Sequence, residues 1–62
     1  NYGEIADYTK AIETNPDYAL AYSLRGIAKE IIGDLKGACE DWKKAAKIGE
    51  YSSSEKVKNK CN

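Results

Sequence analysis

Apolar positions along this chain recur at helical spacing, and nowhere do they alternate as a strand would. Between Gly3 and Thr14, the residues Ile5, Tyr8, Ala11 and Ile12 fall at i, i+3, i+6 and i+7, one stripe of a helix. From Tyr18 to Ile32 the apolar band is wider: Ala21, Leu24, Ala28, Ile31 and Ile32, broadened by Leu20 and Ile27. A helix apolar over so much of its girth is flanked on two sides. Leu35, Ala38, Cys39, Trp42, Ala45, Ala46 and Ile48 repeat the spacing in a third segment. A fourth, from Ser53 to Lys60, offers only Val57 and the following Cys61 as an i, i+4 apolar pair, and reads as a polar lid.

The breaks between these segments carry turn and cap chemistry. Asn15-Pro16-Asp17 closes the first, because the residue before a proline avoids the helical region. Asn15 or Asp17 is expected to cap the second helix, with Pro16 in its first turn. Gly33 suits a left-handed helix stop and Asp34 the next N-cap, while Gly49 ends the third helix. Ser52 and Glu55 have the spacing of a capping box for the fourth. Connections this short make neighbouring helices antiparallel. The expected fold is all-α, with helices near residues 3–14, 18–32, 35–48 and 53–60 and no strand.

Composition narrows the function classes. Sixty-two residues allow one small domain, whose surface should be about 4,000 Å². Such a domain is marginal alone and gains from any neighbour that covers its faces. Ten basic and ten acidic residues cancel, so no strong field favours nucleic acid or an anionic membrane. No apolar run approaches a membrane span, and no secretory pattern opens the chain. It starts at Asn1 and holds no Met, which reads as a fragment or a processed product.

Candidate chemistry is sparse. There is no His, hence neither the commonest general base nor the commonest metal ligand. The carboxylates of Glu4 and Asp7, or of Glu40 and Asp41, stand without a His or a phosphate-binding glycine loop, and read as ion-pair partners. No catalytic residue, metal site or cofactor is expected, and the chain is not read as an enzyme. Cys39 and Cys61 fit no zinc spacing and are too few for a disulfide scaffold, so reduced thiols of an intracellular, cytoplasmic protein are expected. Tyr18 and Tyr51, near the helix corners, read as edge packing. Folding the first helix back on the second sets Glu4 opposite Lys29 and Asp7 opposite Arg25 or Gly26. The next hairpin brings Asp41 near Arg25 as well, so a Glu4–Lys29 pair and an Arg25 held by Asp7, Asp41 or both are expected.

An internal repeat organises these segments. At an offset of 34 residues Asp7 meets Asp41, Lys10 meets Lys44 and Ala11 meets Ala45, while Tyr8 meets Trp42 and Ile5 meets Cys39. The period and its residues resemble those of the tetratricopeptide repeat family. Tyr22 stands at the motif's first large aromatic, Leu24-Arg25-Gly26 at its Leu-Gly step, and Ala28 at the next small position. Gly33-Asp34 matches the turn within a repeat; Ala38, Trp42 and Ala45 match the small–aromatic–small series of the second helix; Pro16 lies at the boundary between repeats. Glu4, Lys29 and Glu50 depart from the motif.

The resemblance implies antiparallel helix–turn–helix repeats. Residues 1–16 would hold the second helix of a partial repeat, 17–50 one complete pair, and 51–62 a capping helix. It further implies a protein–protein interaction scaffold whose concave face takes a peptide or partner helix. The groove positions carried over are Leu20, Ser23, Leu24, Ile27, Glu30 and Ile31, mostly apolar, with Ser23 and Glu30 orienting the partner. The alternative is self-assembly into a homodimer, by stacking or exchanging the open-ended helices.

Overall fold

A computed structural model of the chain describes residues 2–61; Asn1 and Asn62 lie outside it. The elements are α1 (Tyr2–Thr14), α2 (Ala19–Ile31), α3 (Leu35–Ile48) and α4 (Tyr51–Lys60), with no strand among the described residues. Each helix packs chiefly on its neighbours in the chain, α1 on α2, α2 on α3 and α3 on α4. The accessible surface is 4033 Å², the value expected for a folded chain of this mass.

Two of the helix stops follow the sequence closely. Gly33 takes φ +90° and Gly49 takes φ +128°, backbone conformations that side-chain-bearing residues rarely adopt. Asp34 caps α3 by accepting a hydrogen bond from the Gly37 N–H at 2.9 Å.

Two of the starts differ. Pro16 lies in a turn before α2 rather than in its first helical turn: the Tyr18 N–H donates to the Asn15 carbonyl at 3.0 Å, which leaves Pro16 as the second turn residue. Asn15 spends its side chain inside this turn, accepting from the Asp17 N–H at 3.2 Å. Neither Asn15 nor Asp17 therefore caps α2; Tyr18 holds that place without a side-chain bond. α4 begins at Tyr51, earlier than the Ser52–Glu55 spacing predicts, because Glu50 caps it instead. The Glu50 carboxylate accepts from the Ser53 N–H at 3.0 Å and from the Ser52 hydroxyl at 2.5 Å.

The core lies between α2 and α3. Ala38, Trp42 and Ala45 of α3 are fully enclosed and face the small residues of α2. The Trp42 indole sits directly over Gly26, so close that a Cβ built there would lie 2.5 Å from Nε1 and 2.7 Å from Cδ1. Its Nε1–H donates to the Ser23 carbonyl at 3.3 Å, which fixes the ring's orientation and satisfies its one polar atom. Ala21 and Ala28, seven apart and both buried, let a second helix approach α2, and Ile12 of α1 is buried too.

This packing makes a sharp expectation. On an open helix face Gly→Ala gains about 0.8–1.0 kcal/mol from helix propensity. At Gly26 the added methyl meets a ring that cannot swing away. Gly26→Ala should therefore lower stability by a net ~1–3 kcal/mol, and Gly26→Leu by more. Urea unfolding followed by far-UV circular dichroism measures this; a Gly26→Ala variant as stable as the parent, or more so, contradicts the seating of Trp42.

Candidate interaction surface

With α1 and α3 occupying two flanks of α2, a strip of its surface is left uncovered. Leu20, Leu24, Ile27 and Ile31 recur at i, i+4, i+7 and i+11 and so share one side of the helix. Leu20 is 49% exposed and Ile31 is 71% exposed, whereas Leu24 and Ile27 between them are half-buried. At 1.5 Å rise per residue the strip is roughly 16 Å long, about three helical turns.

The other two positions expected in this groove sit elsewhere. Ser23, 4% exposed, is enclosed beside Trp42 and cannot touch a docked partner. Ser23 lies toward the α3 side of α2, one turn before Gly26, and that side is filled by the indole. Glu30 is half-buried and already engaged, its carboxylate receiving the Lys60 ammonium at 2.7 Å. The orienting roles expected of Ser23 and Glu30 are thus replaced by a packing role and a link to α4.

Three large side chains outside the strip are also exposed: Tyr18, Leu35 and Tyr51. Tyr51 is 78% exposed, so the edge packing expected of it does not occur. The early start of α4 explains this, since it makes Tyr51 the first helical residue instead of a corner residue.

Electrostatics tie the helices that carry the strip. Arg25 reaches across to α3 and gives Asp41 two hydrogen bonds, Nε to Oδ2 at 2.9 Å and Nη2 to Oδ1 at 2.7 Å. Its Nη1 donates to the Thr9 hydroxyl of α1 at 3.0 Å, so one guanidinium joins three helices. The hydrogen bonds to Asp41 raise the Arg25 pKa above its ordinary value. Asp41, whose side chain is only 5% exposed, also takes the Lys29 ammonium at 3.1 Å. Of the partners expected for Arg25, Asp41 is the one observed, and Lys29 is drawn to Asp41 rather than toward Glu4. Burial strengthens the attraction between the Asp41 carboxylate and a second cation, even with Arg25 already bound.

The cysteines depart furthest from expectation. Cys39 of α3 and Cys61 at the end of α4 form a disulfide with Cα atoms 5.8 Å apart, and no free thiol remains among the described residues. The α3–α4 hairpin brings the two positions within bridging distance, which a separation of 22 residues alone does not reveal. Next to this bond Lys60 places its ammonium 5.7 Å from the Trp42 ring centroid.

Among the described residues there is no pocket and no cluster of metal-binding side chains, and no helix is long and apolar enough to cross a membrane. No family model, curated protein or solved structure matches the chain.

Two measurements check this electrostatic arrangement. Asp41→Ala leaves two cations facing an enclosed site and should cost about 3–5 kcal/mol. Asp7→Ala, at the exposed aspartate 34 residues earlier, should change stability by no more than ~0.5 kcal/mol. Equal effects in chemical denaturation would contradict the role given to Asp41. Glu50 provides the second. Hydrogen bonds from Ser52 and Ser53 lower its pKa from an ordinary 4.5, so its cap stabilises the fold above that value and is lost as pH falls through the folded pKa. Amide shifts of Ser52 and Ser53 should move below about pH 4.5 in the parent, and Glu50→Gln should remove that acid transition; a transition that persists in the variant contradicts the cap.

Proposed function

We propose that this chain is a protein–protein interaction module, a piece of a tetratricopeptide-like repeat array that takes a partner helix along the open strip of α2. The observation that carries the reading is the unbroken aliphatic strip Leu20–Leu24–Ile27–Ile31, exposed at both ends on a helix otherwise enclosed by its neighbours. Glu30 at its margin is neutralised by Lys60, so the strip presents no uncompensated charge. A helix with aliphatic side chains at i, i+4 and i+7 and an uncharged centre fits it in length and chemistry. The 34-residue recurrence of residue types and the succession of helices packed on chain neighbours support the repeat reading.

One helix face covers far less than the ~800 Å² per partner of a standard interface, so affinity for an isolated fragment is weak and grows with added repeats. The alternative of self-assembly through α1 draws less support: among the described side chains, the exposed large apolar ones lie on or beside α2, α3 and α4. Nothing in this reading calls for catalysis, a cofactor, nucleic acid or a membrane. A cytoplasmic location rested on reduced cysteines; the Cys39–Cys61 bond favours an oxidising compartment instead.

Selection of a displayed helical-peptide library against the oxidised chain tests this. Enriched peptides should carry aliphatic residues at helical spacing. Leu20→Lys and Ile31→Lys should each weaken their binding at least about tenfold, the loss of ~1.4 kcal/mol, without loss of helicity. Peptides that bind both variants as well as the parent would place the interaction elsewhere, and no enrichment at all would remove the reading.

A further inference from the structure

We propose that the Cys39–Cys61 bond is a redox-operated latch that holds α4 over Trp42, and that its reduction releases α4 while α1–α3 stay folded.

Apart from its packing on α3, the helix it holds has few strong interactions to keep it in place. Ten residues are too few for a stable isolated helix. Seven of those ten are exposed, and Val57 is half-buried. The one fully buried residue of α4 is Ser53, and its hydroxyl is enclosed without a hydrogen-bond partner. Docking therefore desolvates a polar group for no return, a cost that undocking removes. At the far end, the Lys60–Glu30 pair is substantially exposed and correspondingly weak. The disulfide joins the residue after α4 to the second turn of α3, one turn before Trp42, and closes the hairpin covalently at the end where Lys60 otherwise reaches Glu30 and the Trp42 ring.

The rest of the molecule does not rely on α4 in the same way. Arg25 links α1, α2 and α3 through Thr9 and Asp41, and Trp42 is seated on Gly26 of α2. Both contacts survive if α4 leaves, but the outer side of the indole and the Glu30 carboxylate are uncovered. The chemistry is thiol–disulfide exchange with a dithiol. One reductant thiolate attacks a protein sulfur, forming a mixed disulfide and expelling the other cysteine as thiolate. The second reductant thiol then displaces the remaining cysteine and leaves as its own cyclic disulfide. Two electrons and two protons reach Cys39 and Cys61, and the reductant loses the same.

Trp42 is the chain's sole Trp, so its fluorescence reports the latch directly. The full chain is compared oxidised and after treatment with dithiothreitol. On reduction, Trp42 emission should shift to the red and acrylamide quenching should rise severalfold. Amide signals of α4 should collapse toward random-coil positions while those of α2 and α3 keep their dispersion. Cys39→Ser/Cys61→Ser should show the released state without reductant. An unchanged Trp42 and an intact α4 after reduction overturn the proposal, since the helix then holds without the bond. Loss of dispersion throughout the chain also overturns it, because the disulfide would then be a staple of the whole fold.

Discussion

The fit of one indole over one glycine governs this molecule. Trp42 is completely enclosed, and the space it occupies exists because Gly26 has no side chain. Beside it in both helices stands the charged pair Arg25–Asp41, so residues 25–26 of α2 meet 41–42 of α3 as an ionic contact alongside a packing contact. The two requirements reinforce each other: the ring sets how closely the helices approach, and the bidentate pair fixes their register along the axis. A carboxylate this enclosed is tolerable because two cations face it.

From that crossing the remaining parts follow. Arg25 has three N–H donors left after binding Asp41, and one of them goes to Thr9, which ties α1 to the next side of α2. With α1 on one flank and α3 on the other, the Leu20–Ile31 side of α2 is left open to solvent. The outer side of α3 is closed by α4, a helix too polar to seal it by burial alone and held by a covalent bond at its far end. A domain this small has few apolar contacts to distribute, so a concentrated core with lightly held margins is the expected economy.

Much of this is legible in the sequence, for a definite reason. Helical spacing exposes Ala38, Trp42 and Ala45 as one buried face, and glycines at 33 and 49 announce the stops. Features that depend on which of several local donors and acceptors win are less so. Asn15 competes for its own turn and is lost as a cap; at the start of α4 the Glu50 carboxylate takes the Ser53 N–H, and the Ser52 hydroxyl donates to that same carboxylate. The family resemblance carries Ser23 into the groove, one turn from Leu20 and from Ile27. The ring that covers it comes from a residue nineteen positions later. Cys39 and Cys61 escaped for the same reason, as their proximity is a property of the folded hairpin and not of spacing.

Native-state hydrogen exchange of the oxidised chain tests the central place of the crossing most directly. If α2 and α3 are organised by Trp42, Gly26, Arg25 and Asp41, amides between Ala21 and Ala28 and between Ala38 and Ala45 exchange most slowly, through global unfolding alone. Those of α1 and α4 then exchange faster, through local opening. Protection in α1 or α4 equal to that of the crossing, or an α2 that opens independently of α3, would contradict the account.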